Sequence, residues 1–240
     1  MKQNLLKPIG ILGGMSSAAT GEYYQLINKK VKEKRGGHTI AELIIYSVNF
    51  ADIERFVRGG HWEEASVYLA EKAKKLEDAG ASCIFLATNT MHKVREEIKA
   101  AITIPFIDIF ETVSKEIKKQ GKTKIGMLGT YPVMSDPFFR DAYETCGVKL
   151  IHPTETEKRE IDRIIFDELT HHQFEPSSAA YYIQVIRNLS EQGAEGIILG
   201  CTEIKMLISQ SDVPNIPLFD TTDLHCEMAA KIGMGDIELA

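Results

Sequence analysis

One pattern occurs twice in this 240-residue chain. IGILGGMSSAATGEYY, which starts at Ile9, resembles IGMLGTYPVMSDPFFRDAY, which starts at Ile125. DAGASCIFLATNTMHKV at 78–94 resembles EQGAEGIILGCTEIKML at 191–207, and IPFIDIFETV at 104–113 resembles IPLFDTTDLH at 216–225. The offsets are 116 (Gly10 to Gly126), 113 (Thr88 to Cys201) and 112 (Pro105 to Pro217). Three ordered matches at nearly one offset indicate an internal duplication, so whatever the first half folds into, the second half folds into as well.

Each half alternates short apolar runs with longer amphipathic stretches. KPIGILGG precedes the helical SSAATGEYYQLINKKVKEK, AELIIYSVNF reads as a strand, and HWEEASVYLAEKAKKLEDAG places apolar residues three and four apart before a glycine stop. This βαβα order predicts α/β halves with mostly parallel sheets. The expected organisation is two pseudo-symmetric Rossmann-like lobes: residues 1–107 plus about 213–240 in the first, 108–212 in the second. The pairing of IPLFD with IPFID is the reason for returning the last segment to the first lobe. Ligands of open α/β sheets bind at the carboxyl ends of strands. Two facing halves would therefore form a cleft with Thr88 on one wall and Cys201 on the other.

Composition removes several function classes. The net charge is −6 with both signs mixed along the chain, so no basic stripe points to nucleic acid or to an anionic membrane surface. The apolar runs are too short to span a bilayer, and Pro8 and the glycines after it interrupt any signal-peptide core. A cytoplasmic protein is expected. The cysteines at 83, 146, 201 and 226 form no CxxC and no zinc-like spacing with histidine, so neither metal nor disulfide framework is expected. His171-His172 and His225-Cys226 are read as solvated. Cys83 and Cys146 are read as structural, whereas Cys201 stands between Gly200 and Thr202 at the end of an apolar run. The glycines at 10, 13 and 14 do not make a dinucleotide fingerprint, and no P-loop is present. Gly13 and Gly14 read as a tight strand-to-helix turn, whose N–H groups would suit a carboxylate.

The motifs IGILGGMS, ATNTMH, LGT at 128–130 and GCTE at 200–203, spread over the whole chain, resemble the aspartate/glutamate racemase family. The resemblance implies cofactor-independent racemisation of an acidic amino acid, two lobes with the active site in the cleft between them, and a homodimer. In that family two cysteines flank the substrate's α-carbon. One removes the proton while the other donates one to the opposite face. Here Cys201 occupies one catalytic position and Thr88 the other, as in a subgroup selective for L-aspartate and L-glutamate. By the same pattern Asn89, Thr90 and Thr202 would bind the α-carboxylate, with Met15, Ser16, Met91 and Thr130 lining the pocket and Glu203 orienting Cys201. Turn formation at strand ends is the alternative role for the threonines and Asn89. Arg55 and Arg58, after the second predicted strand, are candidates for the distal carboxylate, with a solvated position as the alternative. The second-lobe lysine typical of aspartate-type members has no counterpart in IIFDELTHHQF at 164–174. A single-cysteine decarboxylase or other racemase of the same superfamily, and a non-catalytic acidic-amino-acid binding protein, are the competing expectations.

Overall fold

A computed structural model describes residues 6–239, and in it the chain divides into two compact units. One unit runs up to Ile109 and resumes at His225; the other is Phe110–Leu224. In chain order the first unit contains β1 (Ile9–Gly13), α1 (Ser17–Arg35), β2 (Leu43–Ser47), α2 (Phe50–Gly59), α3 (Trp62–Asp78), β3 (Cys83–Leu86), α4 (Arg95–Ala101) and β4 (Phe106–Ile107). At the unit boundary α5 (Ile109–Lys119) begins. Then follow β5 (Lys124–Leu128), α6 (Tyr131–Ser135), α7 (Pro137–Thr145), β6 (Lys149–Ile151), α8 (Glu155–Asp167), α9 (Pro176–Glu191), β7 (Ile197–Leu199), α10 (Ile204–Leu207), β8 (Leu218–Asp220) and α11 (Thr221–Gly233). Helix α11 carries the chain back to the first unit.

Each unit is built on a four-stranded, wholly parallel sheet, and the strand orders correspond: β2-β1-β3-β4 in one and β6-β5-β7-β8 in the other. The central strands β1 and β3 are buried along their whole length because helices cover both faces, which explains their unbroken apolar sequences. Strand β2, at the edge, keeps its residues partly exposed. In the first unit Leu12, Ile84, Leu69 and Ile98 pack on one side, while Ile11, Tyr23, Phe85 and Ala229 belong to a second apolar cluster. Leu128, Ile164, Tyr182 and Ile197 centre the core of the second unit. Helix α1 shows how sequence sets an element: Ser16 caps it by accepting from the Ala19 N–H at 3.1 Å, and Tyr23, Ile27 and Val31 recur every fourth residue on its buried face.

The structure departs from three sequence expectations. The return to the first unit falls at His225 rather than near 213, because Leu218–Asp220 is still hydrogen-bonded to β7. His225 and Cys226 are fully buried rather than solvated, since that return drives α11 against the first sheet. His171 and His172 are exposed. Arg55 and Arg58 sit on a helix, not a loop: Asn49 caps α2, Ile53 and Phe56 bury its inner face, and the left-handed Gly60 ends it.

Candidate active site

The turn after β3 is held by its own histidine. The Thr88 N–H donates to the Leu86 carbonyl at 2.9 Å, and the Thr88 carbonyl lies 2.7 Å from His92 Nδ1. His92 Nε2 accepts the Ile109 N–H at 3.3 Å, which leaves Nδ1 to carry the proton and donate to Thr88. Burial lowers the His92 pKa to about 4, with Arg95 and Lys99 acting the same way against the opposing pull of Asp108, so the ring is neutral near pH 7. Asn89 is buried beside it, and Thr90 opens a short 3₁₀ turn that runs to Val94.

The corresponding turn after β7 is electrostatically different. Cys201 Sγ donates to Glu203 Oε2 at 3.0 Å, and the Thr202 hydroxyl donates to the same oxygen at 2.6 Å. All three residues keep some exposed surface. Burial, first, and the adjoining Glu203 charge, second, push the Cys201 thiol well above its ordinary value, and Asp162 adds negative charge in the same sense. A carboxylate, not a set of N–H groups, faces the sulfur. At rest Cys201 is a protonated thiol with a proton acceptor in place. The surplus negative charge around it suits a ligand that brings an ammonium group. Among the described residues no group of three or more His, Cys, Asp or Glu side chains is arranged to hold a metal ion.

The other expected site residues fall into three groups. Ser16 stands in the turn after β1, but its oxygen is engaged as the cap of α1, and Thr130, half-buried, precedes α6 after β5. Met15 and Met91 belong to the hydrophobic core of the first unit, at 8% and 1% exposure. Their long apolar side chains pack within that core. Arg55 pairs with Glu64 at 3.0 Å and Arg58 with Glu54 at 2.6 Å, both on solvent-facing helix surface. Each arginine thus already has a carboxylate of this chain as partner.

Sequence reasoning passed over His92, Asp108, Tyr23 and Asp162, and read His225 as solvated. The repeat held one signal for two of them. Asp108 and Asp220 align at the Pro105-to-Pro217 offset, and His92 aligns with Lys205 at the Thr88-to-Cys201 offset. In the second unit those partners form an ion pair, Lys205 Nζ to Asp220 Oδ2 at 3.1 Å, while in the first Asp108 is paired with Arg95 at 2.9 Å and Lys99 at 3.3 Å. Tyr23 and His225 meet at 2.8 Å from positions 202 residues apart, which no local pattern reveals.

Comparison with known proteins shows the family of the chain. The family profile of the Asp/Glu/hydantoin racemases matches residues 12–229. The broad specificity amino-acid racemase RacX of Bacillus subtilis (strain 168) is 26% identical over 216 residues, covering 87% of this chain and 91% of that protein. The crystal structure of a candidate Asp/Glu racemase from Yersinia pestis superposes with a TM-score of 0.91 at 41% identity, covering 95% of this chain and 99% of the other. That of an aspartate racemase homologue from Pyrococcus horikoshii OT3 gives 0.86 at 33% identity, again over 95% and 99%.

Proposed function

This chain belongs to the Asp/Glu/hydantoin racemase family, and on that premise we propose that it is a cofactor-independent racemase of acidic amino acids, L-aspartate, L-glutamate or both. The observation that carries the reading is the hydrogen bond from the Cys201 thiol to Glu203 in the turn after β7, the strand equivalent to β3, whose own turn holds Thr88. Racemisation requires a group that takes the α-proton from one face and a group that returns a proton to the other. Cys201 serves the L face. Its proton passes to Glu203 Oε2, and the resulting thiolate takes the α-proton while the C–H electron pair stays on the α-carbon. A substrate ammonium beside Glu203 and Asp162 offsets the charge that otherwise holds the thiol protonated. Protonation of the carbanion by the Thr88 hydroxyl on the opposite face gives the D-enantiomer; Thr88 then regains a proton from solvent while Glu203 releases to solvent the proton it took from Cys201, which restores the starting state.

Threonine is a far weaker acid than cysteine, and this sets the kinetics. The enantiomers have equal free energy in water, so kcat/KM is the same in both directions and a slow Thr88 step slows both. Exchange at the L face is not bound by that limit. Because the thiol shares its proton with a partly exposed carboxylate, a solvent deuteron reaches Cys201 while the carbanion survives, and returns to the face it came from. Proton NMR of L-aspartate and L-glutamate in D₂O, read beside a chiral assay for the D-product, tests the reading. The expected result is loss of the α-proton signal faster than D-product accumulates. No loss with either substrate sinks it. Assembly as a homodimer, checked by sedimentation, belongs to the same reading.

One observation favours a second reaction. A thiol that is protonated at rest is also what stereoselective protonation after loss of CO₂ from a substituted malonate requires. CO₂ release from such malonates, with no exchange of either amino acid, would replace racemisation by decarboxylation.

A further inference from the structure

The Thr88 hydroxyl has no hydrogen-bond partner among the described residues, so nothing that touches its oxygen aims it. Threonine is stiff at χ1, and the direction of its hydroxyl therefore follows the backbone it stands on. That backbone is held at its N–H by the Leu86 carbonyl and at its carbonyl by the ring of His92, the only one of the two that is a side chain. The ring is itself held. His92 accepts from the Ile109 N–H just beyond β4, and on the same strand the Ile107 carbonyl accepts from His225 Nε2 at 2.9 Å. His225 Nδ1 in turn accepts from the Tyr23 hydroxyl of α1 at 2.8 Å. The two rings lie 6.0 Å apart, centroid to centroid, and both are fully buried. One hydrogen-bonded frame thus links α1, α11 and β4 to the turn after β3. The second unit has a lysine–aspartate ion pair at the equivalent positions, and there the acid/base group is a cysteine held directly by Glu203.

We infer that His92 is a positioning residue for the weak half of the reaction: its Nδ1–H, on the Thr88 carbonyl, sets the direction of the Thr88 hydroxyl and hence the rate of inversion. The inference rests on the racemase reading for its kinetic consequence, but its geometric content stands without it. A merely structural histidine would, when replaced, lower every activity together. A residue that aims Thr88 affects the step that Thr88 performs and spares the exchange performed by Cys201.

The test compares His92→Leu, which has no donor, with His92→Asn, whose amide nitrogen stands where Nδ1 stood. With L-aspartate and L-glutamate in D₂O, His92→Leu is expected to lower inversion by about 10²-fold, the loss typical of a misplaced reacting group, while exchange at the L face stays within about threefold. His92→Asn is expected to restore most of the inversion. Equal losses of exchange and inversion, or unimpaired inversion in His92→Leu, would overturn the inference. If the leucine variant fails to fold, His92→Gln replaces it, because its amide occupies the Nε2 position and leaves the Thr88 carbonyl without a donor. If the wild-type protein exchanges neither amino acid, the racemase reading fails on its own, and hydrogen exchange decides the frame. The amides of residues 89–91 must then exchange faster in His92→Leu and at the wild-type rate in His92→Asn, and any other pattern rejects it.

Discussion

At the scale of single residues, Glu203 has two opposing effects on Cys201. Its charge suppresses the thiolate, yet in the proposed reaction its oxygen receives the thiol proton. The two effects separate in Glu203→Gln. Removing the charge lowers the thiol pKa toward its usual range of about 8.5, so alkylation by iodoacetamide near pH 8 becomes faster. Removing the acceptor breaks the proton path, so exchange of the L-substrate slows by about 10²-fold, the usual weight of one acid/base group. Faster alkylation with slower exchange is the expected pair. If both rise together, Glu203 acts through its charge alone. If Thr88 donates the second proton as proposed, Thr88→Cys supplies a competent acid, and inversion is expected to rise by about 10² toward the exchange rate, as the chiral assay would show. Residue identities at the two turns were legible in the sequence because the repeat aligned them. Their protonation was not, since it depends on which oxygen the sulfur meets.

At the scale of elements, the turn after β1 shows what local sequence does and does not reveal. Gly13 and Gly14 announced a tight turn, and Gly14 does take a φ of 88°, with the Val48 backbone where a side chain would stand. The residue that holds the turn closed lies six positions further on. The Thr20 hydroxyl accepts from the Gly14 N–H at 2.8 Å and donates to the Ser16 carbonyl at 2.8 Å. A threonine inside a helical pattern looks unremarkable, so this link was invisible without the fold. Thr20→Val keeps the shape and removes both bonds, leaving a buried N–H unsatisfied. The expected cost is about 2 kcal/mol, measured by urea unfolding, against less than about 1 kcal/mol for Thr20→Ser, which keeps the hydroxyl. Equal losses would show that packing, not the hydroxyl, closes the turn. Helix α2 is the reverse case: its asparagine cap, apolar residues at i and i+3 and terminal glycine are all present in the local sequence.

At the scale of the whole molecule, the duplication made it foreseeable that both sheets share one topology, but not how the chain closes. The final helix belongs to neither repeat alone: β8 completes the second sheet before α11 returns His225 and Cys226 to the first core. Burial of histidines in both units is expected to make the fold acid-sensitive. Burial lowers the pKa of His92 to about 4, of His225 to about 3 and, in the second unit, of His152 to about 4, each from 6.5. A lowered histidine pKa means that the unfolded chain takes up the proton first. The stabilisation is therefore complete above pH 6.5 and is lost as the pH falls toward the native values. Each such histidine contributes a slope of up to about 1.4 kcal/mol per pH unit. Carboxylates held low by partners, such as Glu77 at about 2, begin to add their own loss only below 4.5. Between pH 6.5 and 4.5 the fall in stability is thus expected to follow the buried histidines. Urea unfolding across that window measures it, and replacing both His92 and His225 by asparagine should reduce the slope by nearly two protons whatever the variant's absolute stability. An unchanged slope would mean that these rings are already charged in the native protein, and the neutral Nδ1–H of His92 that holds the Thr88 turn could not then be maintained.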